Sequence, residues 1–312
     1  MKTVVIAIGG NSLIKDAQHQ SVADQYAAVV ETVRHLTDLL EQDCRIVITH
    51  GNGPQVGFIL LRSEHSRGLL HEVPLDSIVA DTQGALGYQL QQALENEFRR
   101  RGLKKFVATV VTQTLVDRND PAFKNPTKPI GEFYTREQAE ERRRIERWTM
   151  VEDAGRGWRR VVASPKPERI IEADVVRHLV KDGYVVVAAG GGGIPVVADA
   201  LGMLSGVPAV IDKDLASAVL ANQIGAELLV ISTAVEKVCL NFGRPDQRAL
   251  DSLTVAQARQ FATQGQFASG SMLPKVEAGV QFVEAGGCEA VITCPGKLSR
   301  ALDGASGTRI RP

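Results

Sequence analysis

Residues 3–11 read TVVIAIGGN, a short apolar, β-branched run followed by two glycines and an asparagine. A continuous run of this length is typical of a strand buried on both faces of a sheet. The same succession of apolar run and glycines returns at residues 45–53 (RIVITHGNG) and 184–193 (YVVVAAGGGG), and sequence with helical periodicity lies between these runs. Strands that alternate with helices indicate an α/β fold with a mostly parallel central sheet.

The periodicity predicts strands at Thr3–Ile8, Arg45–Thr49, Phe106–Thr112, Tyr184–Ala188, Leu228–Ser232 and Glu289–Thr293. It predicts helices at Ser21–Leu40, Gln55–Arg67, Ile78–Arg101, Glu172–Lys181, Leu215–Ile224, Thr254–Gln264 and Val276–Glu284. The segment Asp117–Pro167 breaks this pattern, because it contains five prolines and no obvious buried strand. Since structureless connections of that length are rare in compact domains, it is either an inserted subdomain or a long functional loop. We interpret it as an inserted lid.

Glycines cluster at the predicted carboxyl ends of three strands, where open α/β sheets place their ligands. The three glycine turns are Gly9-Gly10-Asn11-Ser12 (first), Gly51-Asn52-Gly53-Pro54 (second) and Gly190-Gly191-Gly192-Gly193 (third). Each is predicted to lead from a strand into a helix. Such turns leave backbone N–H groups unobstructed, which suits them to bind anions and phosphate above all. The alternative is that glycine only permits tight turns, but tight turns alone do not require four consecutive glycines.

The composition excludes several classes of protein. The 312 residues carry 36 basic and 36 acidic side chains, so no global field attracts a nucleic acid or an anionic membrane. The run Arg142–Arg144 is interpreted as a solvated helix face. The four cysteines lack the spacing of a zinc site, so no protein metal site is predicted. No uncharged segment is long enough to span a bilayer, and we expect a cytoplasmic protein.

The chain lacks the Walker sequence G-x-x-x-x-G-K-[ST] and a dinucleotide fingerprint. The basic side chains that would bind a phosphate must therefore lie elsewhere in the sequence. Three lysines stand beside glycine, proline or acidic residues: Lys128, Lys213 and Lys275. Lys128 lies between Pro126 and Pro129, which predicts a proline-stiffened loop inside the lid. Lys213 lies between Asp212 and Asp214 after the apolar run Gly206–Ile211, which predicts that it leaves a strand end at ligand level. A lysine flanked by acids is more often a surface ion pair. Positioned lysines and glycine N–H groups nevertheless supply what phosphoryl transfer needs.

From Ile6 to near Thr308 the chain resembles the carbamate kinases of the amino acid kinase superfamily. The motifs that carry the resemblance are Gly9-Gly10-Asn11, His50 to Gly57, Thr82-Gln83-Gly84 with Gly87-Tyr88, Asn125 to Gly131, Gly155 to Arg160, Gly190 to Val196, Ile211 to Asp214 and Gly270 to Lys275. The resemblance implies a three-layer αβα sandwich with a protruding lid subdomain at about residues 117–167. It also implies an N-terminal lobe (residues 1–205) for carbamate or carbamoyl phosphate and a C-terminal lobe (residues 206–312) for the nucleotide.

The resemblance further implies roles for single residues. In the catalytic set, Lys128 would reach the transferred group from the lid, Lys213 would bridge the nucleotide phosphates, and Asp214 would orient the lysines. Lys275 would contact the phosphates from the other side. The residues that would cradle the phosphoryl group and the carbamate are Gly9, Gly10, Asn11, Gly51, Asn52, Gly53, Gly191 and Gly192. Those that would contact the nucleotide are Lys213, Lys275, Ser232 and Ala234.

The implied reaction is the reversible conversion of ATP and carbamate to ADP and carbamoyl phosphate, with Mg²⁺ on the nucleotide and a homodimer as the expected assembly. Carbamate oxygen is already nucleophilic, so no strong general base is needed, and His50 is interpreted as structuring its turn. Ala234 stands where many superfamily members carry an aspartate, and paralogues keep the same motifs. Two alternatives therefore stay open: a kinase for another small carboxylate or carbamate-like anion, and a catalytically silent sensor of nucleotides or acyl phosphates.

Overall fold

A computed structural model describes residues 1–10, 13–14, 16, 18–40, 44–153 and 155–312. Its strands are β1 (Lys2–Ile8), β2 (Cys44–His50), β3 (Val107–Thr109), β4 (Gln113–Val116), β5 (Lys128–Tyr134), β6 (Thr149–Glu152), β7 (Trp158–Val162), β8 (Pro167–Ile170), β9 (Val185–Val187), β10 (Ile194–Ala198), β11 (Leu204–Gly206), β12 (Leu228–Ser232), β13 (Cys239–Leu240), β14 (Arg248–Ala249), β15 (Ser252–Thr254), β16 (Glu289–Thr293) and β17 (Thr308–Arg311). Its α-helices are α1 (Val22–Leu40), α2 (Gly53–His65), α3 (Leu75–Arg101), α4 (Arg136–Glu146), α5 (Ala173–Lys181), α6 (Lys213–Ile224), α7 (Val255–Thr263), α8 (Leu273–Glu284) and α9 (Leu298–Leu302).

The centre of the molecule is an eight-stranded sheet with the order β15-β17-β16-β12-β1-β2-β9-β3. Every neighbouring pair is parallel except β16 and β17. Residues 4–8 of β1 are buried because helices cover both faces of the sheet, with α5, α6 and α8 on one side and α1, α3 and α9 on the other. The predicted αβα sandwich with a mostly parallel sheet is therefore confirmed.

The six predicted strands of this sheet are all present, and two of them keep their predicted bounds. The strand predicted at Phe106–Thr112 is shorter and ends at Thr109. Beyond the sheet the backbone of Thr112 is bound by other partners: Gln83 Oε1 accepts from its N–H at 2.8 Å, and its carbonyl oxygen accepts from Gln83 Nε2 at 3.0 Å and from the Ile194 N–H at 2.8 Å. Those bonds replace a further pair of sheet hydrogen bonds.

The lid contains an antiparallel sheet, β5-β7-β6, and helix α4. The sequence showed no obvious strand in this segment because only scattered residues of these strands are buried. Tyr134, Ala139 and Met150 form a small core of their own. Lys128 was expected in a proline-stiffened loop, which was wrong: it is the first residue of β5. A second sheet has four strands in the order β11-β10-β4-β8, which come from both sides of the lid in the sequence.

The connection into α6 also differs from the prediction. The apolar run Gly206–Ile211 was expected to be a strand, but β11 ends at Gly206 and the rest is an extended link. The N–H of Val210 in this link donates to the carbonyl oxygen of Ala163 at 3.0 Å. The link is therefore tied to the end of the lid rather than paired along its length. None of the described helices is both long and apolar enough to cross a membrane.

Substitution of two glycines of α3 by alanine should change the stability of the protein in opposite directions. An ideal Cβ on Gly84 meets no atom within 4 Å, so Gly84→Ala should stabilise the protein by about 0.5 to 1 kcal/mol. A Cβ on Gly87 would stand 2.3 Å from Cγ2 of Thr109, so Gly87→Ala should destabilise it by about 1 to 3 kcal/mol. Urea unfolding of the two variants measures both effects, and an equal stabilisation by both would contradict the packing of α3 on β3.

Candidate active site

A cleft of about 560 Å³ lies at the carboxyl ends of β1, β2 and β12. Its lining includes Gly9, Gly10, Gly51, Asn52, Gly53, Lys128, Gly191, Asp212, Lys213, Asp214, Ser232, Thr233, Ala234 and Lys275. A groove of about 660 Å³ beside α7 and α8 is larger. That groove is lined largely by aliphatic side chains, and Arg259 and Glu284 on its rim bind each other. We therefore place the candidate site in the cleft, where the glycine turns and the three lysines meet.

The first and second glycine turns touch through their backbones. The Gly51 N–H donates to the carbonyl oxygen of Ile8 at 3.0 Å, and a Cβ on Gly51 would stand 2.7 Å from the Gly10 nitrogen. No side chain larger than hydrogen fits at that contact. Gly53 and Pro54 then open α2, so the positive end of the helix dipole lies at the cleft. Asn11, expected in the first turn, lies outside the described residues.

The side chain of Asn52 is buried and held from the back. Its Nδ2 donates to Oγ1 of Thr82 at 2.8 Å, and that hydroxyl donates to the carbonyl oxygen of Val79 at 2.7 Å. A Cβ on Gly191 would stand 2.0 Å from the same Nδ2, so glycine is required for the third turn to lie against Asn52. The amide of Asn52 is thus fixed between α3 and the third glycine turn.

The third glycine turn was predicted to lead into a helix, and this was wrong. Gly190–Gly192 form a single 3-10 turn that leads into β10. The φ angles of Gly191, Gly192 and Gly193 are 66°, 91° and 88°, a left-handed conformation that explains why glycines follow one another here. Gln83 Nε2 donates to the carbonyl oxygen of Gly190 at 3.0 Å. Sequence reasoning did not select Gln83, although it belongs to the quoted Thr82-Gln83-Gly84 motif.

Asp214 is the negative centre of the cleft. Its Oδ1 accepts from the ammonium of Lys213, and its Oδ2 accepts from the ammonium of Lys275 at 2.8 Å. We call these three side chains the lysine cluster. Burial lowers the pKa of Lys213 and the neighbouring Lys275 charge adds to this, while Asp214 opposes both. One carboxylate shared by two ammonium groups leaves the lysine cluster with a net positive charge.

Lys128 approaches the cleft from the lid and pairs with Asp212. Its ammonium donates to Oδ2 of Asp212 at 2.9 Å. Oδ1 of Asp212 caps α6 by accepting from the N–H groups of Asp214 at 2.9 Å and Leu215 at 3.3 Å. Burial alone would raise the pKa of Asp212, but Lys128, with Lys213 and the backbone hydrogen bonds, outweighs burial and lowers this pKa to about 2. Asp212 was quoted in the sequence motif but was not selected as a site residue.

Ser232 is the last residue of β12, Ala234 lies two residues beyond it, and both line the cleft. The hydroxyl of Ser232 is buried, and no hydrogen-bond partner for it exists in the part of the chain that the structure describes. A buried hydroxyl without a partner is costly, so a ligand group that bonds to it would be stabilised. Ala234 presents only a methyl group.

Over the described ranges, no group of three or more His, Cys, Asp or Glu side chains is arranged to hold a metal ion. The two carboxylates of the cleft, Asp212 and Asp214, are already engaged by lysines. A divalent cation in this cleft would therefore have to bring most of its oxygen ligands with it, as Mg²⁺ does when it binds phosphate oxygens and water.

His50 lies behind the second glycine turn and is buried. Its Nδ1 is 3.1 Å from the carbonyl oxygen of Gly51, and a Cβ on Gly190 would stand 2.4 Å from its Nε2. Burial lowers the pKa of His50 to about 4, although the bond to Gly51 opposes this shift. The imidazole is neutral at neutral pH and fills the space between the second and third glycine turns.

The cleft therefore combines N–H donors for a small anion, an amide, and a locally positive lysine cluster, in a protein of zero formal charge. A catalytic carboxylate pair is absent from the residues around it that the structure describes, because both carboxylates are bound to lysines. Such an arrangement can stabilise the charge of a phosphoryl group in transfer by position and electrostatics.

Comparison with known proteins gives the family. A sequence model of the amino acid kinase family matches residues 2–294. The carbamate kinase-like protein YahI of Escherichia coli is 53% identical over 310 residues, 98% of each chain. The carbamate kinase of Thermococcus kodakarensis is 47% identical over 313 residues, 99% of each chain. A solved structure of carbamate kinase from Giardia lamblia bound to AMP-PNP is similar with a TM-score of 0.92 and 40% identity, covering 99% of this chain and 98% of that one.

The buried His50 makes stability depend on pH. The unfolded chain takes up a proton at the ordinary histidine pKa of 6.5, whereas the folded chain does so only near 4, so stability is lost as pH falls through this window. We expect a loss of about 2 kcal/mol between pH 7.5 and 5 from this residue. In His50→Asn, which keeps a donor for Gly51, that loss should disappear. Urea unfolding at both pH values measures it, with exposed His71→Asn as the control, and equal losses in wild type and His50→Asn would contradict it.

Proposed function

We propose that this chain, which belongs to the amino acid kinase family, is an ATP-dependent carbamate kinase that transfers a phosphoryl group reversibly between ATP and carbamate. The observation that carries the proposal is the meeting of Lys128, Lys213 and Lys275 with the glycine turns in one cleft. The proposal agrees with relatives named carbamate kinase that cover nearly the whole chain. The enzyme is a phosphotransferase, and the fold brings three lysines to the place where phosphate would be transferred.

Carbamate, or carbamoyl phosphate in the reverse direction, would lie on the first and second glycine turns. Gly9, Gly10, Gly51 and Gly53 line this part of the cleft without side chains, and the helix dipole of α2 favours negative charge there. Asn52 presents a side-chain amide that α3 holds in place. Because the carbamate oxygen is itself the nucleophile, the neutral and buried His50 has no proton to remove.

The nucleotide would lie across the carboxyl ends of β12 and β16, with its phosphates at the lysine cluster. The lysine side chains start from the first turns of α6 and α8, so both helices direct their positive ends at the same place. The unpartnered hydroxyl of Ser232 would donate to, or accept from, the nucleotide. Ala234 would contribute apolar contact only. Gly191 would close the cradle from the side of α3. Gly192 does not line the cleft, because its carbonyl oxygen accepts from Oγ1 of Thr114 at 2.8 Å and its N–H donates to the carbonyl oxygen of Ala189 at 3.0 Å.

The lobe division belongs to the same proposal. Strands β1, β2, β3 and β9 of the central sheet come from residues 1–205, and β12, β15, β16 and β17 come from residues 206–312. The cleft runs along the junction, because β1 and β12 are neighbours. The N-terminal lobe would hold the small anion and the C-terminal lobe the nucleotide, with the lid over both.

Mg²⁺ would enter with the nucleotide. Both carboxylates of the cleft are committed to lysines, which fits a cation held mainly by phosphate oxygens and water. When bound, the ion would neutralise charge on the β- and γ-phosphates. The protein's own contribution is the lysine cluster, in which Asp214 keeps two ammonium groups close together without direct contact with the reacting atoms.

We further propose a cytoplasmic homodimer. The outer face of α3 exposes Tyr88, and Val111 beside it is also more than half exposed. Large apolar side chains grouped on one face are typical of interfaces. The four cysteines are free thiols, which suits a reducing compartment.

Loss of Lys213 tests the proposed chemistry. Formation of ATP from ADP and carbamoyl phosphate, coupled to hexokinase and glucose-6-phosphate dehydrogenase, should be robust in wild type. In Lys213→Ala, kcat should fall by about 10²- to 10³-fold or more, because a positioned charge on the transferred group is lost. Lys237→Ala, which removes a surface lysine paired with Asp251, is the control and should stay near wild type.

Three outcomes would contradict the proposal. One is full activity in Lys213→Ala. Another is a folded wild-type protein that makes ATP from a different acyl phosphate, such as acetyl phosphate, but none from carbamoyl phosphate. That second result would indicate a related kinase for another small carboxylate, and nucleotide binding without any turnover would indicate a sensor.

A further inference from the structure

One carboxylate, that of Asp212, binds groups from two separate parts of the molecule. Its Oδ2 accepts from the ammonium of Lys128 in the lid, 84 positions away in the sequence. Its Oδ1 accepts from the first N–H groups of α6, the helix that carries Lys213 and Asp214. Asp212 therefore caps the helix that carries Lys213 and also binds Lys128 of the lid.

Main-chain contacts place Lys128 and Asp212 close to each other. Lys128 is the register partner of Val162 across β5 and β7. The next residue, Ala163, accepts a hydrogen bond from the N–H of Val210, two residues before Asp212. The start of β5 and the end of β7 thus lie together at one end of the lid sheet, beside residues 210–212, and the ion pair adds a side-chain contact to the main-chain hydrogen bond there. Lys128 reaches Asp212 because the fold places their backbones together.

The ion pair also lies where a ligand can compete for it. The side chain of Lys128 is 33% exposed and that of Asp212 is 16% exposed, and both line the cleft. Because the Lys128 side chain is partly exposed, an incoming anion can reach the ammonium and compete with Asp212 for it. Without Asp212, the long lysine side chain would sample many rotamers in solvent and would have to be ordered at each binding event.

We propose that Asp212 is a positioning residue that holds the Lys128 ammonium at the mouth of the cleft, ready to be taken over by the transferred group. Asp212 acts through Lys128 and touches no substrate itself. This inference rests on the proposed function, in which Lys128 contacts the transferred phosphoryl group. Asp212 has two roles with different requirements: capping α6 needs only an oxygen acceptor, whereas the ion pair with Lys128 needs a negative charge.

Asp212→Asn separates these roles. Asparagine is as good an N-cap as aspartate, so α6 should keep its first turn while Lys128 loses its ionic partner. We expect kcat/KM for carbamoyl phosphate to fall by about 10- to 100-fold, the effect of a misplaced catalytic group, while the KM for ADP stays within about 2-fold. Asp251→Asn, which breaks the exposed ion pair with Lys237, is the matched control and should leave both constants unchanged.

A double-mutant cycle shows whether Asp212 works through Lys128. Lys128→Met should lower kcat/KM for carbamoyl phosphate on its own, and adding Asp212→Asn to it should change kcat/KM by less than about 2-fold. If Asp212→Asn alone behaves as wild type, or if its effect is fully retained in the Lys128→Met background, the proposal is overturned. An equal rise in the KM for ADP would also overturn it, because a general defect of α6 would then explain the result.

Tryptophan emission gives a second readout that needs no turnover. The only two tryptophans of the sequence, Trp148 and Trp158, both lie in the lid. Titration with carbamoyl phosphate in the absence of ADP should give a half-saturating concentration about 10-fold higher in Asp212→Asn than in wild type. Equal values would overturn the role of Asp212. Failure of wild type to form ATP would instead contradict the proposed function, so the two failures are distinguishable.

Discussion

The structure of the site depends on one buried carboxylate between two ammonium groups. Asp214 is almost fully buried, and the side chains of Lys213 and Lys275 that bind it are largely buried. Two lysines brought together without that carboxylate would repel each other and lose their hydration. With it, the first turns of α6 and α8 can converge on the end of the central sheet. The same contact explains why the protein can be electrically neutral and still present a positive site.

The glycines complete this arrangement on the other side of the cleft. The missing side chain lets Gly51 lie against Gly10 and Gly191 against the amide of Asn52, and the third turn also needs the positive φ angles that glycine adopts. Helix α3 holds these turns from behind through Thr82 and Gln83. The anion-binding side is therefore rigid and made of backbone, whereas the side facing it is made of charged side chains from α6, α8 and the lid.

The sequence predicted those parts of the fold that bury continuous apolar runs. The central strands β12 and β16 have the bounds expected from their sequence, because both faces are covered. The lid strands escaped notice because few of their residues are buried, and the short 3-10 turn at Gly190 was mistaken for the start of a helix. The lysines of the site were selected from their neighbours in the chain. Asp212 and Gln83 were not selected, since their roles come from contacts with residues that only the tertiary fold brings near: Lys128 for Asp212, Gly190 and Thr112 for Gln83.

We propose that the carboxylate of Asp214 holds Lys213 and Lys275 in the geometry that transfers a phosphoryl group. The most direct test is a ³¹P NMR time course of the protein with ADP, Mg²⁺ and carbamoyl phosphate, in wild type and in Asp214→Asn. In wild type, the carbamoyl phosphate resonance should be replaced by the γ-phosphate resonance of ATP, and in folded Asp214→Asn this transfer should be lost. Release of inorganic phosphate alone by wild type, or equal ATP formation by the two proteins, would contradict this role of Asp214.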